Sequence, residues 1–205
     1  MGPQRRRFAT TVGALALLVT ATVDASCLPV LAPELVELER LSDRDPEAAE
    51  RAGRARLADA GRAGDRLLAA QVWAILGEGA VLRSRPDDVR AALDGVRREL
   101  AALSPEAARS AEATRVRHRL VLTESVLAVT RDVHEVARTA LDGLLEEVAA
   151  PSIEQSCALI ARSQKHSDLD RQDLAAADAM TAYRLASDNG WPRPRADAAP
   201  TNSLP

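Results

Sequence analysis

Aromatic side chains are nearly absent from this chain of 205 residues: Phe8, Trp73, Tyr183 and Trp191 are all it has. Single-stranded nucleic acid is held by stacking platforms beside a concentrated basic face. Here the formal charge is −3, and basic runs such as Arg115-Val116-Arg117-His118-Arg119 lie among acids on the same helical stretches. That run reads as solvated helix surface, and nucleic acid is set aside as a partner. Strand chemistry is missing as well. No alternating run of β-branched and polar residues bounded by hairpin turns occurs, so the chain is expected to be all-α.

Catalytic and metal-binding patterns are equally scarce. There is no serine-nucleophile elbow and no glycine loop that would cradle phosphate. Gly77-Glu78-Gly79 lies inside a helical pattern, where it permits close packing or a kink. His134-Glu135-Val136-Ala137-Arg138 begins like the zinc motif H-E-x-x-H, but arginine stands at the second ligand position and cannot serve there. Its structural reading places His134 in a first helical turn with Glu135 as a cap. His118 and His166 have no Cys or His partner at ligand spacing. No catalytic residue, metal site or cofactor is expected, and the chain does not read as an enzyme.

What is present is Ala, Leu, Arg and Glu, the strong helix formers. The first residues read as an address. Arg5-Arg6-Arg7 and the apolar run FATTVGALALLVTATV are followed by Val23-Asp24-Ala25, which makes residues 1–25 a secretory signal cleaved after Ala25. Its loss, three Arg and one Asp, moves the net charge to about −5. A periplasmic or secreted protein is expected. Attachment to a membrane through an uncleaved signal or a lipidated Cys27 is the alternative, although Asp24 stands where a lipidation signal wants an apolar residue. In an oxidising compartment Cys27 and Cys157 are a candidate disulfide. Cys157 is equally readable as a small buried residue of its helix.

Residues 26–190 read as one helical-repeat domain and 191–205 as an irregular tail. Start signals recur at Pro33-Glu34, Asp45-Pro46-Glu47 (a helix to Gly61), Asp65, Ser84-Arg85-Pro86-Asp87 and Ser104-Pro105-Glu106 (a long helix to about Arg131). Three more follow. Asp132 with Glu135 forms a capping-box pattern ahead of Val133, Val136, Ala140, Leu141, Leu144 and Val148. Ser152 with Gln155 forms another, and a last helix starts near Ser167. Eight apolar stripes at helical period, with pair-to-pair spacings of roughly 32 to 47 residues, suggest degenerate helical hairpins stacked as an α-solenoid. A compact helical bundle is the competing architecture.

The last pair carries a resemblance. SIEQSCALIARSQK and RQDLAAADAMTAYRLASDNG, with Ala179-x-x-Ala182-Tyr183-x-x-Ala186, resemble a tetratricopeptide-type repeat. LAAADAMTAYRLASDNGWPRPRADA resembles the repeat joints in the periplasmic sensor regions of bacterial GGDEF (diguanylate cyclase) signalling proteins. The resemblance covers about the last fifty residues. The chain has no Gly-Gly dipeptide, hence no GGDEF loop, and no later apolar segment to cross a membrane. It implies a sensor-type repeat region whose connector, Asn189-Gly190 through Pro192 and Pro194, was built for a repeat not encoded here. An exported binding module for a protein or peptide partner is therefore expected. A ligand-sensing input domain separated from its cyclase is the alternative. Tyr183 and Trp191 are candidates for the partner surface, and the last helix pair is a candidate for self-association through residues 174–191. Trp73 and Tyr183 are also readable as core fillers.

Overall fold

The structure, a computed structural model, describes residues 32–127 and 131–191. The signal-peptide segment, Cys27 and residues 192–205 lie outside the described residues. Among these, every element is helical. A 3-10 turn at Pro33–Leu35 leads into α1 (Val36–Arg44), followed by α2 (Pro46–Ala63), α3 (Arg66–Leu82) and α4 (Pro86–Ala101). A second 3-10 turn at Ala107–Arg109 precedes α5 (Ala111–Val126), α6 (Arg131–Glu147), α7 (Ile153–Asp168) and α8 (Gln172–Asp188).

Local chemistry accounts for most boundaries. Asp45 and Asp65 cap α2 and α3, their Oδ1 atoms accepting from the Ala48 and Leu68 amides at 2.9 Å each. Ser152 Oγ accepts from the Gln155 amide at 3.0 Å and caps α7. These oxygens satisfy amides that have no partner within the helix. α2 passes through Gly61 and ends at Gly64, whose φ of 70° lets the Asp65 amide reach back to the Ala60 carbonyl at 2.9 Å. The left-handed conformation is what Gly64 supplies and Gly61 does not.

Three boundaries differ from the sequence reading. Ser104 caps only the short 3-10 turn, its Oγ accepting from the Ala107 amide. Ser110 is the true start of α5, accepting from the Ala113 amide at 3.1 Å. α5 ends at Val126 rather than near Arg131. Ser167 belongs to the last turn of α7, and the chain reverses through Asp170 at φ 61° before α8 begins at Gln172.

The apolar side chains form a series of small clusters rather than one central core. Leu35, Leu38, Ala49, Val72 and Ile75 join α1–α3; Ala70, Ala74, Val96 and Val116 join α3–α5. Leu122, Leu141, Leu144 and Cys157 join α5–α7, and Leu159 with Ala182 joins α7 to α8. Each cluster lies between chain neighbours. The odd helices touch in succession, α1 on α3, α3 on α5 and α5 on α7, and each even helix packs against the odd helices beside it in sequence. No even helix makes more than marginal contact with another. This is the adjacency of helical hairpins laid side by side. It departs from an open array in one respect: no residue of α3 from Leu67 to Val81 is exposed, so α3 is a buried spine within the row of odd helices.

Two glycines give this packing a sharp test. A Cβ on Gly95 would come within 2.5 Å of the Trp73 ring, whereas one on Gly143 meets nothing within 4 Å. Gly95→Ala is expected to destabilise by about 1–3 kcal/mol through overpacking. Gly143→Ala, in an open helix interior, should stabilise by about 0.5–1 kcal/mol. Urea midpoints of the two variants check the opposite signs.

Candidate functional site

The polar groups that fold inward are concentrated along the spine and its C-terminal flank. Arg119 of α5 is the largest fully buried side chain, at 1% exposure. Its Nε and Nη2 donate to Glu78 Oε1 and Oε2 of α3 at 2.7 and 2.6 Å, and Nη1 donates to Glu39 of α1. Burial opposes the guanidinium charge, but the Glu78 and Glu39 carboxylates outweigh it and raise the pKa. The fork geometry suits arginine and would not be reproduced by lysine. Gly77 and Gly79 bring the helices together around this triad, since Cβ atoms there would meet Ala92 at 3.3 Å and Ser42 Oγ at 2.8 Å. The close-packing role expected for Gly77-Glu78-Gly79 is borne out. The surface expected for the Arg115–Arg119 run is not, because His118 and Arg119 are both buried.

A second network ties α6, α7 and α8. Arg162 of α7 donates to both carboxylate oxygens of Asp178 at 2.8 and 2.7 Å and to Asp142 Oδ1 at 2.8 Å. Arg138 bridges Asp142 and Glu135, and Glu135 also takes Arg171. Glu135 therefore receives one arginine from its own helix and one from the start of α8, while the residues before α6, where its expected role as a cap falls, lie outside the described residues. Those arginines, Arg138 first, lower its pKa. His134 Nδ1 lies 3.3 Å from Lys165 Nζ and 3.3 Å from Asp168 Oδ2. Burial lowers the pKa of His166; Asp178 opposes this, while Arg162, Arg138 and Arg171 reinforce it. Among the described residues no group of three His, Cys, Asp or Glu could hold a metal ion. Every guanidinium nitrogen of Arg119 and of Arg162 is engaged by a carboxylate. Such networks fix the relative orientation of the helices that contribute to them.

Closer to the surface, Glu50 of α2 receives Arg54 and Arg83 at 2.8 Å each and Arg85 at 3.3 Å. Hydrogen bonds from Arg54 and then Arg83 pull its pKa from the ordinary 4.5 down to about 2. A lowered folded-state pKa means that this contribution to stability is complete above about pH 4.5 and is lost as pH falls through about 2. Glu50→Gln should thus cost stability at pH 6 and nearly nothing at pH 2. Urea midpoints at both pH values read the difference.

The candidate partner residues are divided. Tyr183 is half-buried and packs on the Leu159–Ala182 cluster that joins α7 to α8. Trp191 follows Gly190, whose φ is 68°, and its amide donates to the Ala186 carbonyl at 2.9 Å, closing α8 as Asn189-Gly190 suggests. Trp191 is half-buried. Cys157 is buried among Leu122, Leu141 and Ala161. The stripe expected to be buried along α6 is split: Leu141, Leu144 and Val148 are inside, whereas Val133, Val136 and Ala140 are exposed, Val136 at 69%. α8 similarly exposes Leu174 and Met180. The sequence reading expected an apolar face within residues 174–191 but missed the one on α6, where it took every periodic apolar residue as inward. Among the described residues no helix is long and apolar enough to cross a membrane. No protein-family model, curated protein or solved structure matches the chain.

Proposed function

We propose that this chain is a non-catalytic, tetratricopeptide-like helical-repeat module that docks a protein or peptide partner. The observation that carries it is the exposed apolar ridge of α6, Val133, Val136, Ala140 and Gly143, set at helical spacing on a helix whose other face is already packed. Of the five large apolar side chains left exposed among the described residues, Val133, Val136, Leu174 and Met180 belong to α6 and α8. The Arg171–Glu135 pair puts the start of α8 beside the start of α6. Such a concentration suits an interaction surface, and a charged rim beside it suits a partner that is itself a folded or helical segment.

Because no residue of α3 from Leu67 to Val81 is exposed, the inner row of helices offers little surface there, and the reading rests on the α6–α8 flank. Export by residues 1–25 and a periplasmic or secreted setting belong to the same proposal, as does self-association through α8. The test is capture from periplasmic extract with the full chain and with Val136→Asp/Leu174→Asp. Loss of a specific captured protein from the double variant supports the surface, and undiminished capture removes it. Light scattering on the same pair separates a foreign partner from a second copy: in the latter case the unmodified chain is dimeric and the variant monomeric.

A further inference from the structure

A hollow of about 200 Å³ opens between the end of α2, the start of α3 and the end of α4. Leu57 and Trp73 give it an apolar wall, and Asp65, Arg66, Arg98 and Glu99 line it with charge. The Glu99 side chain is only 9% exposed and takes Arg66 Nη1 at 2.9 Å and Arg98 Nε at 3.4 Å. Arg98 stands over the Trp73 ring with its guanidinium carbon 6.0 Å from the ring centre. The ring is itself fixed by its close packing on Gly95. Both arginine side chains are more than half exposed, so their remaining donors reach the opening.

We infer that this hollow binds a small zwitterionic ligand with an apolar body, of the free α-amino acid class. Two guanidiniums and two carboxylates give the lining no net charge, so a ligand carrying one charge alone meets repulsion as well as attraction. A ligand carrying both signs close together meets a partner for each: its carboxylate the free donors of Arg66 and Arg98, its ammonium Asp65 and Glu99. Trp73 and Leu57 then receive the side chain. The volume suits a molecule of that size and is small for a nucleotide or a folded peptide. The hollow lies on the α2–α4 side of the chain, so it stands or falls separately from the α6–α8 surface.

The experiment is a fluorescence titration of the full chain carrying Trp191→Phe, which leaves Trp73 as the sole tryptophan. Leucine and phenylalanine are added as free amino acids, as N-acetyl derivatives and as amides. The free forms are expected to give a saturable change, with each blocked form at least about tenfold weaker, the loss typical of one charge-assisted hydrogen bond. Arg98→Ala should abolish the change while leaving the circular dichroism intact, and Val136→Asp should leave the titration untouched. Absence of a saturable signal up to millimolar amino acid, equal binding of the blocked forms, or full binding by Arg98→Ala would each overturn the assignment.

Discussion

Arg119→Ala should destabilise the protein by about 3–5 kcal/mol, the cost of stripping one partner from a buried ion pair. The reason lies in what remains. Glu78 is itself buried and would keep its charge with no guanidinium across from it. Glu39 is more exposed and can recover water. The effect is therefore expected to be asymmetric: Glu39→Gln costs much less than Arg119→Ala. A double variant, Arg119→Met with Glu78→Leu, removes both deep charges and should regain most of the loss, since apolar replacement of a buried pair is often neutral. Urea unfolding of the three variants decides the matter. A loss below about 1 kcal/mol for Arg119→Ala would be the behaviour of a surface pair, and would mean that water reaches the triad.

Leu141→Ala is the second large effect, at about 2–5 kcal/mol for a fully buried leucine. Leu141 sits where α5, α6 and α7 meet, and the neighbouring clusters do not share its side chain. The loss should accordingly fall on the C-terminal hairpins. In the Trp191→Phe background, Trp73 of α3 reports on the N-terminal part alone. Circular dichroism, which sees every helix, is expected to begin its urea transition before Trp73 fluorescence does. Coincident curves would show that the clusters unfold as a single unit. Val133→Ala, on the exposed part of the same helix, should stay within about 0.5 kcal/mol of the parent.

The contrast between these two leucine-like positions shows what the chain makes legible and what it hides. Helix starts announced by Asp-Pro, by Asp65 or by Ser152 are local events, decided within four residues, and the fold places them where the sequence does. Ser104 and Ser167 fail because serine caps compete: Ser110 offers α5 a better start, and Asp170 turns the chain after Ser167. Arg119 is concealed for a different reason. Its partners are 41 and 80 residues away, and a basic run lying among acids on one helical stretch reads as solvated surface. One clue was available, because Arg119 lies three residues from both Val116 and Leu122, on the stripe that is buried. Val133 and Val136 err in the opposite sense. Periodicity marks them as belonging to a face, but which faces meet a neighbour depends on where α8 ends up, and that is a tertiary fact. The hollow at Trp73 gathers Leu57, Asp65, Arg66, Trp73, Arg98 and Glu99 from three helices, which no short window of sequence displays.

The succession of odd helices, with even helices that scarcely meet one another, also sets how the molecule answers a load. Bending that compresses or stretches the inner row must deform close-packed clusters and the Arg119 triad, and is resisted. Opening or closing the gaps between α2, α4 and α6 breaks few contacts, whereas α6 and α8 are linked by the Arg171–Glu135 pair and, through Arg162, by Asp142 and Asp178. The chain is thus stiff along one edge and compliant along the other, like a hinge with a metal spine and a cloth cover. A load applied to the α6–α8 surface would be shared between those two helices through their ion pairs and taken up first as splaying between α4 and α6, well before the inner row gives way.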